Sequence, residues 1–196
     1  KRGIIIATGA HPIVPDMLEP VRDLVHTHET IFELDGLPDT MAVLGAGPVG
    51  IELAQAFARL GVRVTVIDAG DTIGGLSDPE TNAAAIAALS NEVSLQLGID
   101  ASAAATGDGR ARLYWDGGEV VVDLILAATG RPPSLDGLAL ETTGIVLDDH
   151  GTPLFEETTR RCGDSRIFIA GDAGAWRPVL HEAARGIDAF YTEYWV

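Results

Sequence analysis

Residues 41–68, MAVLGAGPVGIELAQAFARLGVRVTVID, admit few folds. A short apolar run fits a buried strand, and it is followed at once by Gly45, Gly47 and Gly50 in the spacing G-x-G-x-x-G that opens a helix. Gly45 lets the chain turn sharply out of the strand, Gly47 lets the backbone approach a pyrophosphate, and Gly50 lets the helix pack tightly on the sheet. Pro48 suits the first helical turn, where a missing N–H costs nothing. The spacing predicts a helix whose apolar stripe is Val49, Leu53, Ala56, Phe57 and Leu60, stopped by Gly61, before VRVTVI restores strand character. The unit is β-α-β, with a helix N-terminus that offers free N–H groups to an anion.

Asp68 ends the second strand, where an acidic side chain can accept hydrogen bonds from an adenosine ribose. Its charge would repel a 2′-phosphate, and no Arg or Lys lies between Ala69 and Thr81 to bind one. NAD is therefore expected over NADP. The chain carries 29 acidic against 13 basic residues, a net charge of −16, which argues against nucleic acid and anionic membrane surfaces as partners. No apolar run reaches the roughly 20 residues of a membrane span, and the start has no secretory pattern; a small-molecule nucleotide as ligand and a cytoplasmic location are the expectations.

The rest of the chain supports an α/β reading. GIIIATGAHPIVP (3–15) begins as a strand and breaks at Pro12 and Pro15, whereas residues 21–40 read as polar and irregular. A buried strand so close to the first residue suggests that further sequence precedes it. Asp78 is placed to cap an Ala-rich helix from Pro79 to about Leu89, and EVSLQLGI (92–99) has strand character. RARLYWDGGEVVVDLILAATG predicts two antiparallel strands around Asp116-Gly117-Gly118, then an apolar strand from Leu124 to Ala128. That strand ends in Ala128-Thr129-Gly130, echoing Ala7-Thr8-Gly9 after the first one. RIFIAGD is a further buried strand that delivers Asp172, and HEAARGIDAFYTEYW reads as helical despite Gly186.

Taken in order, ATG, GAGPVGIELA, the acid after the second strand, ATGRPP and IFIAGDA resemble the pyridine nucleotide-disulfide oxidoreductase family, and within it the dihydrolipoamide dehydrogenase type. The resemblance implies an α/β, Rossmann-like three-layer nucleotide-binding domain of the FAD/NAD(P)-binding fold with a small antiparallel β-meander. It implies an NAD(P)-binding domain over residues 13–144, inserted between partial FAD-type segments at 1–12 and 145–196. Carried over by the resemblance, Gly45, Gly47, Pro48, Val49 and Gly50 line the pyrophosphate, and Asp68 holds the adenosine ribose. Glu52 would approach the nicotinamide ring, Gly130 would lie beside the dinucleotide, and Asp172 would bind the ribityl and phosphate portion of FAD. Read as residues alone, Glu52 is equally a solvated carboxylate on a helix face, and Asp172 a cap of the following turn.

Where the chain departs from the family pattern, it loses chemistry. It has no second G-x-G-x-x-G for the FAD adenosine and no C-x-x-x-x-C pair, since Cys162 is its one cysteine. The carboxy-terminal dimerisation domain with its His-Glu pair also has no counterpart here. His26 and His28 could face one side of an extended segment, but two ligands make no metal site, and His181 matches the family's helix start too loosely to serve as a base. No catalytic residue is assigned. The expectation is the nicotinamide-binding portion of an FAD-dependent, homodimeric oxidoreductase that passes hydride between NAD(H) and flavin, itself inactive when isolated. Two other readings stay open: a non-catalytic NAD-binding module, and a transhydrogenase or NADH oxidase type that needs no redox disulfide.

Overall fold

The computed structural model describes residues 3–174. In chain order the strands are β1 (Ile4–Ile6), β2 (Val25–His26), β3 (Thr40–Leu44), β4 (Arg63–Asp68) and β5 (Ser94–Leu97), then β6 (Ser102–Ala105), β7 (Ala111–Trp115), β8 (Gly118–Val122), β9 (Leu124–Ala127) and β10 (Ile167–Ile169). Helix α1 (Pro48–Arg59) joins β3 to β4, and α2 (Pro79–Leu89) precedes β5. The chain divides into two compact units, one made of Pro12–Gly130 and the other of the described residues before Pro12 and after Gly130.

Pro12–Gly130 is built on a five-stranded parallel sheet in the order β2-β9-β3-β4-β5. Its central strands are apolar on both faces, as a parallel sheet covered on both sides requires. Met41, Val43, Val64, Val66, Leu124 and Leu126 point to one layer, where they pack with Ala54 and Phe57 of α1 and Leu89 of α2. The alternate residues Ala42, Leu44, Ile67, Ile125 and Ala127 point to the other, against Leu18 and Val21 and the buried face of an antiparallel meander, β6-β7-β8. The three layers are thus helices, parallel sheet and meander. Asp123, in the turn from β8 to β9, fastens the meander to the sheet: its Oδ2 accepts from the Thr40 N–H at 2.9 Å and the Thr40 hydroxyl at 2.6 Å.

The expected elements around the glycine motif form, including α2 with Asp78 as its cap, accepting from the Thr81 N–H at 2.8 Å. Two expectations are corrected. The buried stripe of α1 is Gly50, Ala54 and Phe57, with Ile51, Leu53 and Ala58 beside it, whereas Leu60 is 63% exposed. Gly50 has to face the sheet, and this turns the stripe away from Val49, Ala56 and Leu60. Residues 21–40, expected to be irregular, contain β2, the end of a 3-10 segment over Asp16–Leu24 and a 3-10 turn at Ile31–Glu33, which bury Val21 and Ile31. Strand β6 carries only Ser102 and three alanines, so it has neither alternation nor β-branched residues; pairing with β7 makes it a strand.

In the other unit β1 pairs in parallel with β10, Ile4 opposite Ile167 and Ile6 opposite Ile169. Ile6, Leu140, Cys162, Ile167 and Ile169 form its core. The second boundary lies at 130/131 rather than near 144, because residues 131–144 are held to this unit by backbone bonds from His11 N–H to Pro132 and from Ser134 N–H to Gly9, and by burial of Leu140. Burial pushes the Cys162 thiol up to about 11, which suits an ordinary reduced core residue. The expectations for His181 and for the helical tail from His181 to Trp195 fall outside the described residues. Among the described residues no helix is long and apolar enough to cross a membrane.

Leu126 is fully buried in the middle of the parallel sheet. Leu126→Ala should lower the free energy of unfolding by about 2–5 kcal/mol, measured by denaturant titration. In the other unit the Thr159 side chain, followed by the N–H groups of Thr158 and Thr159, holds the Glu156 carboxyl down at about 2. A depressed carboxylate stabilises fully above its ordinary value of 4.5 and loses that contribution as pH falls through about 2. Acid titration followed by circular dichroism should therefore show a loss of stability over this range that Glu156→Gln reduces.

Candidate functional site

The end of β3 is shaped by backbone crowding. Gly45 leaves the strand at φ +104°, and a Cβ there would overlap the carbonyl of Ala128, the residue after β9. A Cβ on Gly50, in the first turn of α1, would overlap the carbonyl of Gly45. Strand end, helix and neighbouring strand end therefore meet without side chains between them. Backbone bonds fix the corner: Gly45 N–H to Ile67 O at 2.9 Å and Ala128 N–H to Leu44 O at 2.7 Å. Gly47 differs from its two partners, since a Cβ there would meet nothing within 4 Å. It is the N-cap of α1 and contributes no capping side chain, while Pro48 occupies the first helical position. The first turn of α1 thus presents backbone N–H groups to open space, the geometry that receives an anion.

Beside this corner a cavity of about 270 Å³ opens over the carboxyl ends of the parallel strands, where open α/β sheets take their ligands. Leu44, Ile67 and Ile99 provide apolar wall, Gly45 and Thr129 its edges, and Asp68 and Asp100 its two carboxylates. Asp68 is held in place by backbone donors: Oδ2 accepts from Ala46 N–H at 2.5 Å and Oδ1 from Gly70 N–H at 2.7 Å. Each oxygen keeps a lone pair, so the carboxylate links the glycine corner to the cavity while still able to accept from a bound hydroxyl.

Of the residues expected from the sequence, Gly45 and Asp68 line the cavity. Gly47, Pro48, Val49 and Gly50 form the loop and first turn beside it. Glu52 is exposed on α1. Gly130, at φ +149°, follows the cavity residue Thr129, and its carbonyl accepts from Ile13 N–H at 3.1 Å. Asp172 belongs to the other unit, where its Oδ2 lies 3.3 Å from Nη1 of Arg131. Sequence reasoning missed Arg131 and Asp100; the one signal available for Arg131 was its place in ATGRPP. His26 Nδ1 lies 3.2 Å from the Thr30 hydroxyl, and no group of three potential metal ligands occurs among the described residues.

The chain matches the pyridine nucleotide-disulphide oxidoreductase family over residues 2–187. It is 35% identical to a mercuric reductase of Acidithiobacillus ferrooxidans over 171 residues, covering 86% of this chain and 30% of that protein. It is 31% identical over 171 residues to a soluble pyridine nucleotide transhydrogenase of Mycobacterium bovis, covering 86% and 36%. The crystal structure of LpdA from Mycobacterium tuberculosis superposes with a TM-score of 0.84 at 30% identity, over 97% of this chain and 42% of that one. The chain therefore spans about a third of the length of the curated relatives it matches.

The two kinds of glycine separate in a stability measurement. Gly50→Ala should destabilise by about 1–3 kcal/mol through overpacking against a backbone that has no room to retreat, whereas Gly47→Ala should stay within about 1 kcal/mol, the difference between these residues as caps. Denaturant unfolding of both variants is the check.

Proposed function

Because this chain belongs to the pyridine nucleotide-disulphide oxidoreductase family, we propose that it is the nicotinamide-dinucleotide-binding portion of an FAD-dependent oxidoreductase resembling dihydrolipoamide dehydrogenase. The observation that carries the reading is the side-chain-free corner at Gly45 and Gly50, which opens the N-terminus of α1 next to a cavity containing a fixed carboxylate. A pyrophosphate would sit against Gly47, Pro48, Val49 and Gly50, where Gly47 leaves the space that a Cβ would fill. Leu44, Ile67 and Ile99 would pack against the adenosine, and Asp68 would accept from its ribose hydroxyls. Glu52, exposed one turn along α1, and Gly130, the glycine of the second ATG, would lie toward the nicotinamide half.

When bound, the nicotinamide ring carries the hydride that is exchanged with a flavin in the whole protein. This chain's residues bind and orient the dinucleotide. Asp172, paired with Arg131, would hold the ribityl and phosphate portion of FAD within an FAD-type domain to which residues before 12 and after 130 contribute. Asp68 would favour NAD over NADP, since a carboxylate accepting from the ribose would repel a 2′-phosphate. We place the whole protein in the cytoplasm as a homodimer with a small-molecule nucleotide as its ligand, on the family resemblance.

A transhydrogenase-like chemistry without a redox disulfide is the second reading. It is supported by the 31% identity with a soluble pyridine nucleotide transhydrogenase.

Calorimetric titration with NADH and NADPH tests the proposal. Saturable NADH binding is expected, and Asp68→Ala should weaken it by about 1–3 kcal/mol, the scale of a lost hydrogen bond to a charged group. An unchanged affinity in that variant would overturn the ribose assignment.

A further inference from the structure

The cavity beside the glycine corner has a second carboxylate, that of Asp100, which the glycine-motif reading does not use. After β5 the chain turns back onto the end of β4: Gly98 N–H donates to Gly70 O at 2.8 Å and Ile99 N–H to Asp68 O at 3.1 Å. The residue that follows is Asp100, so the backbone carbonyl of one cavity acid anchors the segment bearing the other. The two carboxylates differ in their engagement. Asp68 accepts from two backbone N–H groups, whereas Asp100 has no hydrogen-bond or ion-pair partner among the described residues and is exposed. Among the described residues no Lys or Arg lines the cavity.

We propose that Asp100 is a specificity-determining residue that acts with Asp68 to exclude a 2′-phosphorylated dinucleotide from this cavity. The proposal rests on the reading that the cavity receives the adenosine half. A 2′-phosphate brings between one and two further negative charges into a space already bounded by two carboxylates and lined, among the described residues, by no cation. Backbone donors partly offset the charge on Asp68, whereas no group among the described residues pairs with Asp100. Repulsion between groups several ångströms apart at a solvent-facing rim amounts to a several-fold effect on affinity and is screened by salt. A ligand with free ribose hydroxyls meets no such repulsion.

The test is the ratio of the NADPH to the NADH dissociation constant, measured by titration calorimetry on the full chain at low and at high salt. Asp100→Asn should lower that ratio by about three- to ten-fold at low salt, with a smaller change at high salt. Asp71→Asn serves as the comparison: it removes a nearby exposed charge that does not line the cavity, and it should leave the ratio where it was. If Asp100→Asn does not change the ratio while the parent chain binds NADH, the proposal is overturned and the nucleotide reading stands. If Asp71→Asn changes it as much as Asp100→Asn, diffuse charge rather than Asp100 discriminates, and the proposal is again overturned. If the parent chain binds neither nucleotide, the nucleotide reading fails and takes the proposal with it.

Discussion

Much of the organisation of residues 12–130 follows from one contact without side chains, where the backbone after β3, the first turn of α1 and the backbone after β9 converge on Gly45, Gly50 and Ala128. Any Cβ at either glycine would overlap a carbonyl, so the contact sets how close α1 lies to the sheet. It also sets the rotation of α1 about its own axis. With Gly50 forced inward, Ala54 and Phe57 follow at four and seven residues and become the buried stripe. The same closeness leaves the helix N-terminus over the strand ends, where the chain runs from β3 to β4 on one side while β9 lies on the other.

The sheet makes that contact possible because it is covered on both faces. Residues of β3 and β9 alternate between the helix layer and the meander layer, so a shift of register by one residue would exchange the two cores. Asp123 opposes such a shift. Its carboxylate takes both the N–H and the hydroxyl of Thr40, while its own N–H donates back to the Thr40 hydroxyl at 3.0 Å. The start of β3 is thereby fixed at one end and the glycine corner at the other.

How far this was legible in the sequence depended on whether local chemistry or distant packing decided each feature. Glycines at fixed spacing, a Pro at the first helical position, Asp78 before an Ala-rich run and the Asp-Gly-Gly turn are local devices, and each produced the element it announces. Strand β6 carried no such device, because three alanines become a strand only when β7 offers them hydrogen bonds. The stripe of α1 was misread for a related reason: hydropathy favours Val49 and Leu60, but steric closeness at Gly50 outweighs it. Of the candidate site, Gly45 and Asp68 were legible as motif members. Asp100 was not, since its place beside Asp68 depends on backbone bonds from Gly98 and Ile99 that no local pattern encodes.

The electrostatics of the site run against its net charge. A dinucleotide is an anion, the chain carries −16, and among the described residues no cation lines the cavity. Attraction for a pyrophosphate then has to come from oriented backbone, the free N–H groups and dipole of the first turn of α1, which act only within the first turn. The surrounding acids act over longer distances and oppose any anion. Salt weakens long-range repulsion more than it weakens contact hydrogen bonds, so added salt helps a pyrophosphate approach without removing what holds it there. A site of this kind selects by close fit rather than by attraction at a distance. On the proposed reading, selectivity would therefore rest on glycine positions that admit a pyrophosphate to backbone contact and on carboxylates that repel a 2′-phosphate.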